Sequence, residues 1–188
     1  MPDRLFLSLR FPDFSERTML RHYEQLVRLF PFSRLSRGYS TVRVHAVSQN
    51  EPALFEQPFP NPLNPDAVVA VVGGFAAADC AIFLDTQWDL FQYDQEWRLK
   101  PAAVCLACFL PLFEDSEGEQ IRLDLGRVDL FLPDPDVAHS VQAVQANLQS
   151  LVHLAKTVER SLKPVSRRLW TESGVDLARH LEEFESAV

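Results

Sequence analysis

The sequence predicts an α+β fold in which helices cover one antiparallel sheet. Short runs of apolar or alternating residues recur along most of the chain, which is typical of strands. Other segments repeat apolar residues with helical spacing. A chain of 188 residues, 47% hydrophobic and 23% charged, can bury a core without disulfides or metals.

The first strand and helix are predicted from residues 5–11 and the segment after them. Residues 5–11 are mostly apolar, as in a central strand. Asp13 or Ser15 then caps a helix with one apolar face, and Pro31 ends it.

Two further strands and a second helix follow. Residues 41–47 alternate in polarity and predict a half-exposed strand, whereas Pro58 places residues 53–59 at an edge or a strand end. A helix is expected from Asn64 to Asp79, because proline suits the first helical position. This helix is apolar nearly all round and is therefore predicted to be buried.

The segment from residue 80 to 99 predicts a hairpin. Residues 80–93 form a strand, residues 94–96 a polar turn, and residues 97–99 return across it. A separate apolar strand is expected over residues 102–113.

Residues 120–132 are predicted to form the last strand pair of the sheet. Residues 120–124 lead into a strand over 128–132, and Gly126 marks a bend or bulge between them.

The C-terminal part is predicted to be helical. Asp134 caps a helix that continues to Leu162 and ends before Pro164. A connection follows, and a last helix starts near Ser173 with one apolar face made of Leu177, Leu181, Phe184 and Val188.

The element order βαββαβ predicts a ferredoxin-like block. We expect a single domain, with this block over residues 1–93, additional antiparallel strands over 94–133 and C-terminal helices over 134–188.

The composition also limits the function. No apolar run is long enough for a membrane span, and the first residues do not resemble a signal peptide, so a cytoplasmic location is expected. Three cysteines agree with a reducing compartment. The net charge of −8 makes nucleic-acid binding an unfavourable hypothesis.

Charge is unevenly distributed along the chain. Residues 1–45 contain eight arginines and four acids, whereas residues 46–136 contain four basic and sixteen acidic residues. This separation favours binding of an acidic partner or association of two copies, although a solvated helix face explains it as well.

The aromatic and acidic hairpin is the first candidate site. Trp88, Asp89, Tyr93 and Trp97 are expected to line a ligand pocket. Acids in this region can act as oxygen ligands or as an acid–base pair, but paired carboxylates are also common on solvated strands. These acids are Asp85, Asp89, Asp94 and Glu96.

The connection over residues 166–174 is the second candidate site. Arg167, Arg168, Trp170 and Glu172 are predicted to bind a partner, because arginine and tryptophan are enriched at binding hot spots. Alternatively, the tryptophan anchors a loop and the arginines pair with acids elsewhere in the chain.

No residue pattern indicates catalysis. Cys105 and Cys108 lie three apart on a predicted strand, where their side chains point to opposite faces, so both are expected to be structural. The five histidines are scattered, and neither a nucleophile elbow nor a phosphate loop is present. No cofactor and no metal site are predicted.

The sequence therefore favours a noncatalytic protein-interaction module, with homodimerisation as one form of association. The alternative is a small-molecule- or metal-binding protein, or an enzyme, with a pocket at the hairpin from Trp88 to Trp97.

Overall fold

The computed structural model describes residues 3–13, 15–114 and 118–174, and within them the protein is an α+β fold. Seven strands form one antiparallel sheet in the order β3-β2-β4-β5-β6-β1-β7. The strands are β1 (Arg4–Arg10), β2 (Tyr39–Ala46), β3 (Phe55–Pro60), β4 (Cys80–Asp94), β5 (Glu96–Phe109), β6 (Ile121–Arg127) and β7 (Ser166–Thr171). The helices are α1 (Glu16–Leu29), α2 (Pro65–Val72) and α3 (Ser140–Leu162).

The strand order does not confirm the ferredoxin-like block. β2 lies between β3 and β4, but β1 pairs with β6 and β7, far along the chain. Leu7 of β1 lies opposite Leu123 of β6 and Leu169 of β7, so the pairing matches apolar side chains across three strands. Strands from the three segments predicted over residues 1–93, 94–133 and 134–188 thus join one sheet.

The two faces of the sheet differ in what covers them. Alternate strand residues such as Leu84, Leu106 and Leu123 share one core with the apolar sides of α1, α2 and α3. Tyr23 of α1 is fully buried in this core and donates a hydrogen bond from its hydroxyl to the Leu106 carbonyl at 2.8 Å. We call the opposite side the open face, because none of the three described helices packs on it.

The first half of the chain largely follows the prediction. Ser15 caps α1 and forms a capping box with Thr18, and the helix ends before Pro31. β3 is an edge strand, as Pro58 indicates. The prediction for α2 was too long, because the helix ends at Val72 with Gly73 as its C-cap. It is also less buried than predicted, since only Val68 and Val72 are fully buried.

The central hairpin is longer and more regular than predicted. β4 and β5 pair continuously from Ala81 opposite Phe109 to Asp94 opposite Glu96, and Gln95 makes the turn with a φ of 65°. The predicted break between residues 99 and 102 is absent, because Pro101 is accommodated within β5 opposite Asp89.

The end of β6 departs from the prediction. Residues 128–132 are not a strand, since β6 ends at Arg127 and Val128–Leu130 form one turn of 3₁₀ helix. Gly126 has a φ of +90° and accompanies a register shift in the β1–β6 pairing, so the predicted bend is confirmed.

The long helix begins later than predicted. α3 starts at Ser140 after His139, and Asp134 does not cap it. Instead the Asp134 carboxylate accepts a hydrogen bond from the Asp136 amide, and Ser140 Oγ accepts one from the Asp134 amide. These bonds shape a turn ahead of the helix. α3 then continues to Leu162, as predicted.

The first six residues of the connection predicted over 166–174 instead form β7, an edge strand paired with β1. An aromatic and alternating segment fits a strand, and the vacant edge of β1 supplies its hydrogen-bonding partner. The last predicted helix lies almost entirely outside the described residues. No helix in the described part of the chain is long and apolar enough to cross a membrane.

Candidate functional site

The hairpin divides the four predicted ligand-binding residues into two groups. Trp88 is only 4% exposed and packs in the core, with its ring centroid 5.8 Å from that of Phe30. The Asp89 carboxylate accepts hydrogen bonds from the Ser33 hydroxyl and, at 2.8 Å, from the Arg34 amide. Trp88 therefore packs as a core residue, and Asp89 fixes the loop after α1.

Tyr93 and Trp97 lie together at the end of the hairpin. Their ring centroids are 5.4 Å apart, and both line a cavity of about 230 Å³. The Trp97 indole donates a hydrogen bond to the Ala138 carbonyl at 2.8 Å, which ties the hairpin to the turn before α3. Arg127 and Asp129, an ion pair, also line this cavity.

The four acids of the hairpin region already have partners. Asp85 pairs with Arg43, Asp94 with Lys100 and Glu96 with Arg98, while Asp89 receives the two hydrogen bonds described above. No group of three or more metal-ligating side chains is assembled among the described residues.

β7 separates the predicted partner-binding residues by face. Arg168 and Trp170 point to the open face, where they lie opposite Ser8 and Phe6 of β1. Arg167 points to the other side and forms an ion pair with Glu159 of α3 at 3.1 Å. Glu172 follows the strand and is exposed.

Trp170 is fixed on the open face by two contacts. Its ring stacks on Phe6 with centroids 4.5 Å apart and an interplanar angle of 25°. Its indole Nε1 donates a hydrogen bond to Ser8 Oγ at 2.8 Å. The Arg168 guanidinium lies 5.5 Å from the Trp170 ring centroid, within the range of a cation–π contact.

A second arginine lies on the other side of Ser8. Arg122 of β6 is the Cα partner of Ser8, and its guanidinium lies 5.5 Å from the Phe6 ring centroid and 5.0 Å from that of Phe109. We define the Arg–aromatic patch as Phe6, Ser8, Arg122, Arg168 and Trp170. It spans β6, β1 and β7 on the open face.

The two arginines of the patch differ from their charged neighbours. Arg4 pairs with Asp124 at 2.7 Å, and this hydrogen bond raises the pKa of Arg4. Arg43 pairs with Asp85 at 2.5 Å. In contrast, no carboxylate among the described residues pairs with Arg122 or Arg168. The patch thus presents two guanidinium groups with unused hydrogen-bond donors.

A cavity of about 360 Å³ adjoins the patch on the open face. Its charged lining consists of three arginines and two aspartates, so the cavity has an excess of positive charge. These residues are Arg4, Arg43, Asp85, Arg122 and Asp124.

Of the two thiols on β5, Cys105 lines this cavity and Cys108 does not. Cys105 belongs to the open face, whereas Cys108 lies in the core below the helices, as strand alternation predicts. Burial raises the pKa of both, that of Cys108 to about 12. A thiol with such a pKa stays protonated at neutral pH and is a poor nucleophile.

The sequence analysis did not identify Phe6, Ser8 or Arg122 as site residues. Side chains alternate between the two faces of a strand, so within residues 4–10 Phe6 and Ser8 lie on the face opposite to the leucines. This alternation was the only sequence signal that could have pointed to them. Their assembly with β7 depends on long-range pairing, which local patterns do not encode.

Comparison with known proteins gives no assignment. No family model matches the chain, and no curated protein or solved structure matches it either. The functional argument therefore depends on the geometry of these surfaces.

Proposed function

We propose that this protein is a noncatalytic protein-interaction module that binds its partner through the Arg–aromatic patch. The main supporting observation is that Arg122 and Arg168 are held over aromatic rings and have no carboxylate partner among the described residues. The partner is another protein or a second copy of the chain.

The composition and rigidity of the patch support this proposal. Tryptophan and arginine dominate binding hot spots because they bury large areas and form several directed contacts. The Trp170 ring is fixed by Phe6 and Ser8 before any partner arrives, so little side-chain entropy is lost on binding.

The position of the patch at the sheet edge also favours binding. β7 is a terminal strand of the sheet and pairs with β1. The opposite edge strand, β3, contains Pro58 and Pro60, which oppose pairing with another strand. β7 contains no proline, so a partner that contacts the patch can also approach its backbone.

Affinity capture tests this proposal. The immobilised protein is compared with Trp170→Ala and Arg168→Glu variants, and Arg167→Gln serves as the matched control from the opposite face of the same strand. Support requires a protein that wild type and Arg167→Gln retain and both patch variants lose, and whose binding is then reproduced with purified components. Circular dichroism must show that the variants are folded.

Self-association is tested in parallel by sedimentation velocity over a range of concentrations. A dimer that Trp170→Ala dissociates identifies the second copy as the partner. The proposal is wrong if wild type stays monomeric and no protein distinguishes wild type from the patch variants.

A second candidate function is small-molecule binding in the cavity at the end of the hairpin. Tyr93 and Trp97 line this cavity together with the Arg127–Asp129 ion pair, so it combines aromatic and charged walls. A ligand specific to the folded state raises the unfolding midpoint with its concentration. A metabolite-dependent shift that Trp97→Ala abolishes and Trp170→Ala preserves supports this candidate, and a flat response to a metabolite panel rejects it.

A further inference from the structure

We infer that the Arg–aromatic patch recognises an acidic segment of its partner through two carboxylates, one bound by Arg122 and one by Arg168. This inference adds the chemistry of the partner to the proposed function and depends on it.

The first argument is the position of the two arginines on either side of Ser8 in the sheet. Arg122 on β6 and Arg168 on β7 are both Cα partners of Ser8, on its two sides. Two strand spacings separate them, which corresponds to about 10 Å between their Cα atoms. Two acidic side chains of one short segment can span this distance.

The second argument is the way in which each guanidinium is held. Phe6, Phe109 and Trp170 contact the arginines through cation–π interactions. These contacts hold each guanidinium beside an aromatic ring, and no carboxylate among the described residues pairs with its N–H groups. A carboxylate binds in the plane of a guanidinium through two parallel hydrogen bonds.

The third argument is the charge around the patch. Arg4 and Arg43 are neutralised by Asp124 and Asp85, whereas Arg122 and Arg168 have no carboxylate partner among the described residues. A nucleic acid presents a continuous row of phosphates, some of which would lie against Asp124 and Asp85 and be repelled by them. Discrete carboxylates on a peptide match the pattern better.

The test uses fluorescence anisotropy with a labelled oligoglutamate peptide at low salt. Oligoglutamine of the same length and a single-stranded oligothymidylate are the comparison probes. We expect saturable binding of oligoglutamate and no binding of oligoglutamine. Arg122→Gln and Arg168→Gln should each weaken oligoglutamate binding roughly tenfold or more, and Arg167→Gln should bind like wild type.

Arg122→Lys separates charge from geometry. Lysine retains the positive charge but lacks the planar fork, so we expect its affinity to lie between those of wild type and Arg122→Gln. Equal affinity of Arg122→Gln and wild type would overturn the inference. Failure of oligoglutamate to bind, or tighter binding of oligothymidylate through the same arginines, would overturn it too.

The affinity-capture and anisotropy results together distinguish a failure of the proposed function from a failure of the acidic-segment inference. If a partner is captured through Trp170 and oligoglutamate does not bind, the acidic chemistry is wrong and the proposed function stands. If neither binds, both are wrong.

Discussion

At the scale of single residues, Asn147 supplies hydrogen-bonding partners to backbone groups on the unpaired edge of β4. Its side chain is 1% exposed, and its amide pairs with both backbone groups of Phe91, accepting from N–H at 2.8 Å and donating to the carbonyl at 2.9 Å. It also donates to the Leu130 carbonyl at 2.8 Å. One side chain of α3 thus replaces a neighbouring strand at the part of β4 that β2 does not reach.

Replacement of Asn147 by leucine should destabilise the protein by about 3 kcal/mol, because three partly buried backbone groups lose their partner. Urea denaturation measures this change. Gln149→Leu, an exposed position on the same helix, should change stability by no more than about 0.5 kcal/mol. Equal effects of the two substitutions would show that the Asn147 hydrogen bonds contribute nothing particular.

His22 makes stability depend on pH. Its ring stacks on Phe11 with centroids 4.0 Å apart, and its buried Nδ1 has no hydrogen-bond partner among the described residues. Burial, assisted by the charge of Arg21, lowers the pKa of His22 below its usual 6.5. The unfolded chain therefore binds a proton more readily than the folded one.

The contribution of His22 to stability is complete above pH 6.5 and is lost as the pH falls from there through its folded-state pKa. As the pH is lowered from neutral to mildly acidic, the urea midpoint of unfolding should decrease more steeply in wild type than in His22→Phe. Parallel pH profiles for the two proteins would contradict this role.

At the scale of elements, the bulge of β6 requires a glycine. Gly126 has a φ of +90°, and a Cβ atom there would lie 2.9 Å from the Ala103 carbonyl oxygen on β5. Both the backbone conformation and the close strand contact exclude a side chain. β6 ends one residue later at Arg127, and the chain continues into the 3₁₀ turn over Val128–Leu130.

Gly126→Ala should destabilise the protein by about 2 kcal/mol. Gly38→Ala is the matched control, because no atom lies within 4 Å of its added Cβ and its φ is not in the left-handed region. It should change stability by less than about 1 kcal/mol. Thermal unfolding of both variants checks the difference, and equal losses would indicate that the bulge tolerates a side chain.

Local patterns predicted most elements but not their arrangement. Ser15, Pro31 and the residues of the hairpin turn mark boundaries through short-range capping and turn chemistry, and these agree with the structure. The start of α3 was misplaced because Asp134 caps a preceding turn instead of the helix. Residues 166–171 form a strand only because β1 offers them an edge.

The candidate site could be predicted only in part for the same reason. Arg168 and Trp170 stand out in the sequence, but Arg122 and Phe6 join them through strand pairings between distant parts of the chain. Conversely, Trp88 was predicted to share a pocket with Tyr93 and Trp97, but the pleat turns it toward the helices, where it lines a different cavity of about 510 Å³ beside α3. The residue types were enough to indicate which side chains could bind a partner. Which of them lie together on one face could be known only from the register of the strands in the sheet.

At the scale of the whole molecule, the sheet has two different faces. Three helices and alternate strand residues form the core on one side. On the other side a smaller apolar cluster, which contains Phe83, Phe109 and Phe113, lies beside the charged cavity and the Arg–aromatic patch. The helix face therefore stabilises the fold, and the open face is the surface that we assign to binding.

The most direct test is the dissociation constant between the captured partner, or a second copy of the chain, and wild type or Trp170→Ala. A hot-spot tryptophan predicts at least roughly a tenfold weaker complex for Trp170→Ala, with Arg167→Gln unchanged and all proteins folded. An unchanged dissociation constant for folded Trp170→Ala would contradict the assignment of the open face as the interaction surface.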